Sequence, residues 1–309
     1  MKVVFMGTPD FAVPVLEALC ENHEVTAVVT QPDKPKGRGK KMLFPPVKEK
    51  ALEKGIKVYQ PEKIRDAEFV EMLKSMESDI FVVAAYGQIL SQEVLDIPKY
   101  GCINVHASLL PKYRGAAPIQ QCIIDGEKKT GITIMYMERS LDTGDMILKE
   151  ECGIDDNETY ESLHDKLAPI GARALIKAME LIEKGEVHAE KQDDSLSCYA
   201  HMIKRETGHI NWSKSCEEIR NLIRGLNPVP AAYTIYNDEN IKIFCAEKIS
   251  DEKKDNAGEI ISADKKKGFC VSCGDGILMI TEVQGKGGKR MSAADYMRGH
   301  EIKLNTILL

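Results

Sequence analysis

Three residues of this chain, Asn104, His106 and Asp142, have types and spacing that could do chemistry together. The first two stand in Gly101-Cys-Ile-Asn-Val-His-Ala-Ser-Leu-Leu-Pro-Lys-Tyr-Arg-Gly115, the third in Leu141-Asp-Thr-Gly-Asp145. Side chains alternate faces along an extended strand, so Asn104 and His106 share one face about 7 Å apart, while Ile103 and Val105 turn into the core. An amide donor beside an imidazole can support a developing negative oxygen and move a proton. Asp142 follows the β-like run Ile132–Met137 in a Gly-containing loop, where its carboxylate could orient the imidazole or take part in the proton traffic. Singly, each has an ordinary use: a histidine among apolar residues is commonly a packed one, and Asp-Thr-Gly suits a tight turn. Together they suggest group transfer at a carbonyl carbon.

The elements that must position these groups read as alternating strands and helices. Lys2–Met6, Glu24–Thr30, Lys57–Tyr59, Asp79–Ala85, Cys102–His106, Ile132–Met137 and Ile147–Cys152 are predicted strands. Asp79–Ala85 is apolar almost throughout, as a strand buried on both faces requires. Helices are predicted at Phe11–Cys20, Val47–Lys54, Ala67–Met76 and Thr159–Lys184, the last broken or kinked near Pro169. This alternation predicts a doubly wound, Rossmann-like α/β domain whose ligands sit beyond the carboxyl ends of the strands. His106, Ser108 and Ala85-Tyr86-Gly87 fall at such ends. From about Ile203, a helix near Cys216–Arg224 precedes short β-like runs separated by turns, which predicts a small OB-like β-barrel. The expected division is a catalytic domain over 1–189, a polar linker over 190–204 and the barrel over 205–309.

With 309 residues of which 43% are hydrophobic, the chain can build two cores. No apolar run reaches the 18 or so residues of a membrane span, and the chain enters a strand at Lys2 without a signal-peptide pattern. A cytoplasmic, monomeric protein is expected. Nine scattered cysteines fit reduced thiols. The Cys270-Val-Ser-Cys273 pair lacks the second pair or the histidines of a zinc site, so no metal is expected. A net charge of −6 argues at first against a nucleic-acid partner, yet residues 203–309 hold 17 basic against 15 acidic residues. Moreover, Gln31–Lys48 contains Lys34, Lys36, Arg38, Lys40, Lys41 and Lys48 with the single acid Asp33. Its four prolines and two glycines exclude a helix and predict a long loop. Beside Met42-Leu-Phe44, that loop could grip a phosphate backbone and wedge against a terminal base.

The run Asn104-x-His106-x-Ser-Leu-Leu-Pro111, then Arg114-Gly115 and Leu141-Asp-x-Gly144, resembles the signature of the formyltransferase family that uses 10-formyltetrahydrofolate. Met6–Ala12, the basic loop Gln31–Lys41 and Leu226-Asn-Pro-Val-Pro230 are also similar to the family, so the resemblance covers nearly the whole chain; Gln121 departs from it, where many relatives carry Trp. The resemblance implies Asn104, His106 and Asp142 as catalytic residues, with Ser108, Leu109, Leu110 and Pro111 lining the folate edge and Val83 and Tyr86 near the pterin. The basic loop is similar to that of the branch acting on initiator methionyl-tRNA, which implies RNA contacts by Arg38, Lys40 and Lys41. A small-molecule amine formyltransferase or a formyltetrahydrofolate hydrolase would share the trio without needing the loop and barrel. A nicotinamide-dependent oxidoreductase is disfavoured because no Gly-x-Gly-x-x-Gly follows the first strand. A non-catalytic RNA-binding module would leave the trio without a purpose.

Overall fold

Between Val3 and Gly7 the chain offers no polar side chain, and a segment of that kind is stable only where both faces are covered. The computed structural model, which describes residues 1–36 and 41–309, makes it an inner strand of a sheet. In chain order the elements are β1 (Lys2–Gly7), α1 (Val13–Asn22), β2 (Glu24–Val29), β3 (Lys34–Lys36), β4 (Lys41–Leu43), α2 (Pro46–Glu53), β5 (Val58–Tyr59), α3 (Ala67–Ser75), β6 (Ile80–Ala84), α4 (Gln92–Leu95) and β7 (Cys102–His106). There follow β8 (Arg114–Gly115), α5 (Pro118–Ile124), β9 (Lys129–Tyr136), β10 (Met146–Gly153), α6 (Tyr160–Lys184) and β11 (Tyr199–Ala200). The last are α7 (Cys216–Gly225), β12 (Ala232–Tyr236), β13 (Glu239–Ser250), β14 (Ile260–Asp264), β15 (Gly268–Cys273), β16 (Gly276–Gln284), β17 (Met291–Ser292) and α8 (Ala293–Gly299). They form two compact units: Met1–Gly115, Lys129–Gly153 and His164–Ala200 in the first, Ala116–Lys128, Ile154–Leu163 and His201–Leu309 in the second.

The first unit is the doubly wound α/β domain the alternation predicts. Its main sheet runs β10-β9-β7-β6-β1-β2-β5, with β7, β6, β1, β2 and β5 parallel and β9 and β10 antiparallel at one side. The chain winds outward from β1 in both directions, so the strand order reverses between β1 and β6, and sheets of this kind bind ligands beyond the carboxyl ends of the strands at such a reversal. On one face Val4, Met6, Phe81 and Val83 pack with Phe69, Val70 and Leu73 of α3. On the other, Gly171 lets α6 lie close to the sheet, since a Cβ there would meet Val105 Cγ1 at 3.0 Å. Of the break or kink expected in α6 near Pro169, the break does not occur: the helix runs unbroken from Tyr160 to Lys184. Proline removes one backbone donor, but Leu167, Ala168, Ala172, Leu175, Ala178 and Met179 continue a single buried stripe across it.

The segment expected as an open loop is in part a hairpin, β3 against β4, with Lys34 opposite Leu43 and Lys36 opposite Lys41. Proline and glycine forbid a helix, not a two-stranded edge ladder. Its base is tied down: Lys48 Nζ donates to Asp33 Oδ2 at 2.6 Å and Gln60 Oε1 at 2.7 Å, and Gln60 Nε2 donates to Asp33 Oδ1 at 2.8 Å. These donors hold the Asp33 carboxyl below the usual carboxylate range. Lys48 also lies 3.9 Å above the Phe44 ring, so it anchors the hairpin instead of extending its basic surface.

The second unit carries an antiparallel sheet, β12-β13-β16-β15-β14, with β17 added beside β16. Residues 305–309 join its two ends: Leu309 exchanges hydrogen bonds with Ile235 of β12 at 2.7 and 3.1 Å, while Asn305 and Thr306 bond Ile260 of β14 at 2.8 and 2.9 Å. The result is barrel-like, with edges paired as such sheets need. Ser215 and Glu218 form a capping box that starts α7, whose Cys216, Ile219 and Ile223 face the core. Cys270 and Cys273, three residues apart on β15, fall on opposite faces. Cys270 Sγ lies 3.8 Å from Met279 Sδ, whereas Cys273 joins the core cluster. Among the described residues no group of three or more His, Cys, Asp or Glu is placed to hold a metal ion, and no helix is long and apolar enough to cross a membrane.

Candidate active site

Strand β7 is gripped on both sides, and its register sets Asn104 opposite Val83 of β6 and Met135 of β9, and His106 opposite Thr133. Ile103 and Val105 are buried, as alternation demands, while Asn104 is half-buried. Among the described residues no hydrogen bond engages its carboxamide. A half-buried strand side chain left with two free N–H groups is available to a ligand oxygen.

His106 is committed on one side only. Its Nε2 lies 2.9 Å from the Tyr113 carbonyl oxygen, and because a carbonyl only accepts, Nε2 carries a proton, which in the neutral ring leaves the lone pair on Nδ1. Nδ1 faces Asp142 Oδ2 at 3.8 Å. That is too long for a direct hydrogen bond, yet close enough for the carboxylate to interact electrostatically with charge that develops on the ring. Asp142 stands at φ +54°, a left-handed conformation that aspartate tolerates better than most residues. Its Oδ2 accepts a hydrogen bond from the Gly115 N–H at 2.8 Å. Gly115 itself is at φ +116°, where a Cβ would meet the Ala200 oxygen at 2.7 Å.

The Ser108–Pro111 turn is built from its own polar groups. Ser108 Oγ donates to the Lys112 oxygen at 2.6 Å, Thr133 Oγ1 donates to the Ser108 oxygen at 2.7 Å, and the Leu110 N–H donates to Thr133 Oγ1 at 3.1 Å. Ser108 is fully buried, and Leu110 packs with Met135 and Met146. Leu109 and Pro111 are half-buried. Side chains of Leu109 and Pro111 are therefore the ones open to a ligand, with Ser108 and Leu110 shaping the backbone between them. Tyr86 points its ring into the α3 and α4 core. Its hydroxyl is buried without a partner among the described residues, and burial pushes the phenol well above its ordinary pKa. The Tyr86 carbonyl oxygen accepts hydrogen bonds from Thr8 Oγ1 at 2.9 Å and Gln31 Nε2 at 3.3 Å. Of the three basic residues assigned to RNA, Arg38 and Lys40 lie outside the described residues, and Lys41 opens β4.

One contributor escaped the sequence. Residues 190–200, expected as linker, are bonded into the first unit: the Arg114 N–H donates to the Cys198 oxygen at 2.9 Å, β8 pairs with β11, and Gln192 bridges Arg114 to the Asp142 turn. A buried arginine announces that it needs acceptors, but nothing in the local sequence says that one lies 78 residues away.

An uncommitted carboxamide on the same strand face as an imidazole, with a carboxylate 3.8 Å from that imidazole, at the carboxyl end of a doubly wound sheet, is an arrangement suited to group transfer at a carbonyl carbon. Comparison with known proteins narrows the class. The formyl transferase model matches residues 1–179, and the model of the formyl transferase C-terminal domain matches residues 202–301. The chain belongs to the formyl transferase family. It is 51% identical over 309 residues to the methionyl-tRNA formyltransferase of Clostridium novyi (strain NT) and 52% identical over 309 residues to that of Clostridioides difficile (strain 630), covering 100% of both chains in each case. Its fold is similar to that of WlaRD, a sugar 3N-formyl transferase crystallised in the presence of dTDP and 5-N-formyl-THF, at a TM-score of 0.67 and 23% identity, over 94% of this chain and 99% of that one.

Proposed function

We propose that this chain transfers the formyl group of 10-formyltetrahydrofolate to the α-amine of initiator methionyl-tRNA, giving N-formylmethionyl-tRNA, as a monomer in the cytoplasm. The observation that carries the site assignment is the pairing of His106 with Asp142 at 3.8 Å on the strand face that also presents Asn104. Full-length identity to methionyl-tRNA formyltransferases supports the choice of acceptor.

The α-amine of an aminoacyl ester is less basic than a free amine and largely unprotonated near neutrality, so it can attack the formyl carbon without a strong base. As that carbon becomes tetrahedral its oxygen gains charge, and the free Asn104 N–H groups meet it. One oxyanion-hole donor of this kind is worth about 3 to 4 kcal/mol. His106 Nδ1 takes up the proton lost by the attacking nitrogen, Asp142 stabilises the resulting imidazolium, and the same proton can return to N10 of the departing folate. Leu109 and Pro111 supply apolar surface at the folate edge, and the main chain of Ala85–Gly87 supplies polar groups at the end of β6. Arg38, Lys40 and Lys41 of the basic segment contact the acceptor arm, with 1–189 holding the chemistry and 205–309 adding RNA contacts.

The test is incubation with 10-formyltetrahydrofolate and methionyl-tRNA, followed by hydrolysis of the ester and identification of the amino acid. Formylmethionine is the expected product. Formate released without an acceptor indicates a hydrolase, and transfer only to small amines indicates a small-molecule enzyme; either result overturns the proposal.

A further inference from the structure

A buried guanidinium must find acceptors, and Arg114, 3% exposed, finds two. Its Nε and Nη2 donate to Gln192 Oε1 at 3.0 and 2.8 Å, and Nη2 donates to Asp194 Oδ1 at 2.7 Å. A guanidinium only donates, so Gln192 must turn its oxygen toward Arg114. Its amide nitrogen is thereby aimed the other way, where Nε2 donates to the main-chain oxygens of Asp142 at 2.9 Å and Gly144 at 2.8 Å. Carbonyls only accept. The position between them needs an acceptor at one end and two donors at the other, which is the description of a carboxamide. Gln192 is itself buried, so water does not compete freely for these bonds.

These two bonds hold the turn at residues 142 and 144, on either side of Thr143. They act on a residue at φ +54°, a conformation that persists only where the surroundings over-determine it. Asp142 is also held by the Gly115 N–H, which donates to its carboxylate. Gly115 follows Arg114 directly, so one buried arginine anchors both the donor to the carboxylate and the clamp on its backbone.

We propose that Gln192, oriented by Arg114, is a positioning residue for the transfer reaction: it holds the Leu141–Asp145 turn so that the Asp142 carboxylate stands beside His106. This rests on the reaction proposed above. Gln192→Glu keeps the length of the side chain and the acceptor facing Arg114, but sets a carboxylate oxygen against two carbonyl oxygens, and the turn must move. Displacing a catalytic group by about 1 Å costs up to roughly 100-fold, so kcat should fall by about 10- to 100-fold, with KM for both substrates within about twofold.

The decisive experiment is a double-mutant cycle on the full chain, with Gln192→Glu measured in the native and in the Asp142→Asn background, accompanied by hydrogen exchange at the Gly115 amide. Positioning through Asp142 predicts that Gln192→Glu costs little once Asp142 is already neutral, and that the Gly115 amide exchanges faster in the single variant. Additive losses, or native kcat with native Gly115 exchange, overturn it. Arg114→Lys keeps the charge but not the fork that spans Gln192 and Asp194; it should behave alike and carries the same cycle if Gln192→Glu does not fold. Should the native chain fail to formylate methionyl-tRNA, the functional proposal fails, and Gly115 exchange alone then decides the clamp.

Discussion

Asp142→Asn separates charge from shape at this site. The asparagine oxygen can still accept from the Gly115 N–H that Asp142 Oδ2 now binds at 2.8 Å, so the turn should survive; what disappears is the negative charge 3.8 Å from His106 Nδ1. General acid–base steps are worth about 100- to 10,000-fold in rate, and this charge supports the imidazolium that such a step forms. The Asp142 side chain is 12% exposed, and solvent recovers part of the loss, so kcat should fall by roughly 100- to 1,000-fold. Steady-state formylation of methionyl-tRNA gives kcat, titration with tetrahydrofolate gives binding, and thermal unfolding checks the fold. Folate affinity and stability should stay close to native. A kcat within about threefold of native would show that no imidazolium beside this carboxylate matters in the slow step.

Asn104→Ala should lower kcat by about 100-fold or more, the worth of an oxyanion donor, with folate binding retained; unchanged turnover would remove the carboxamide from the chemistry. Replacing Arg38, Lys40 and Lys41 together by alanine should weaken tRNA binding and make its dependence on log salt shallower by about 2 to 3 units, whereas an unaltered slope would take the segment out of the interface. Asp275 accepts the Cys216 N–H at 2.6 Å at the start of α7, which holds its carboxyl below the usual range. A carboxyl depressed in the folded state adds stability above its unfolded pKa of about 3.9 and loses it as pH falls through the folded value. Denaturant midpoints between about pH 5 and pH 2.5 should thus fall more gently for Asp275→Asn than for the native chain, and parallel curves would contradict that linkage.

The parts of the fold that were legible are those where one periodicity dominates. Lys2–Gly7 and Ile80–Ala84 are apolar at nearly every position and could only be buried parallel strands, and the alternation through Ile103-Asn-Val-His106 placed two polar groups on one face. Elements of four to seven residues, α4, α5 and α8, are too short to show a helical period and were not foreseen. Neither was the pairing of residues 305–309 with β12 and β14, because Thr306-Ile-Leu-Leu309 carries no turn signal that names a partner. At the site, the trio could be proposed from residue types, but its support could not. Gln192 lies in a polar stretch with the composition of a linker, and its role follows only from the buried Arg114 and the turn it meets in space. Lys48 shows the opposite error, since a charge counted toward a basic surface is spent on Asp33 and Gln60.

The most direct measurement of the central claim is a crystal structure of the chain with a stable 5-formyl analogue of the donor bound. The formyl oxygen should lie about 2.7 to 3.1 Å from the Asn104 carboxamide nitrogen, with His106 Nδ1 on the side from which an amine would approach. A formyl group bound well away from Asn104, with His106 and Asp142 facing no substrate atom, would contradict it.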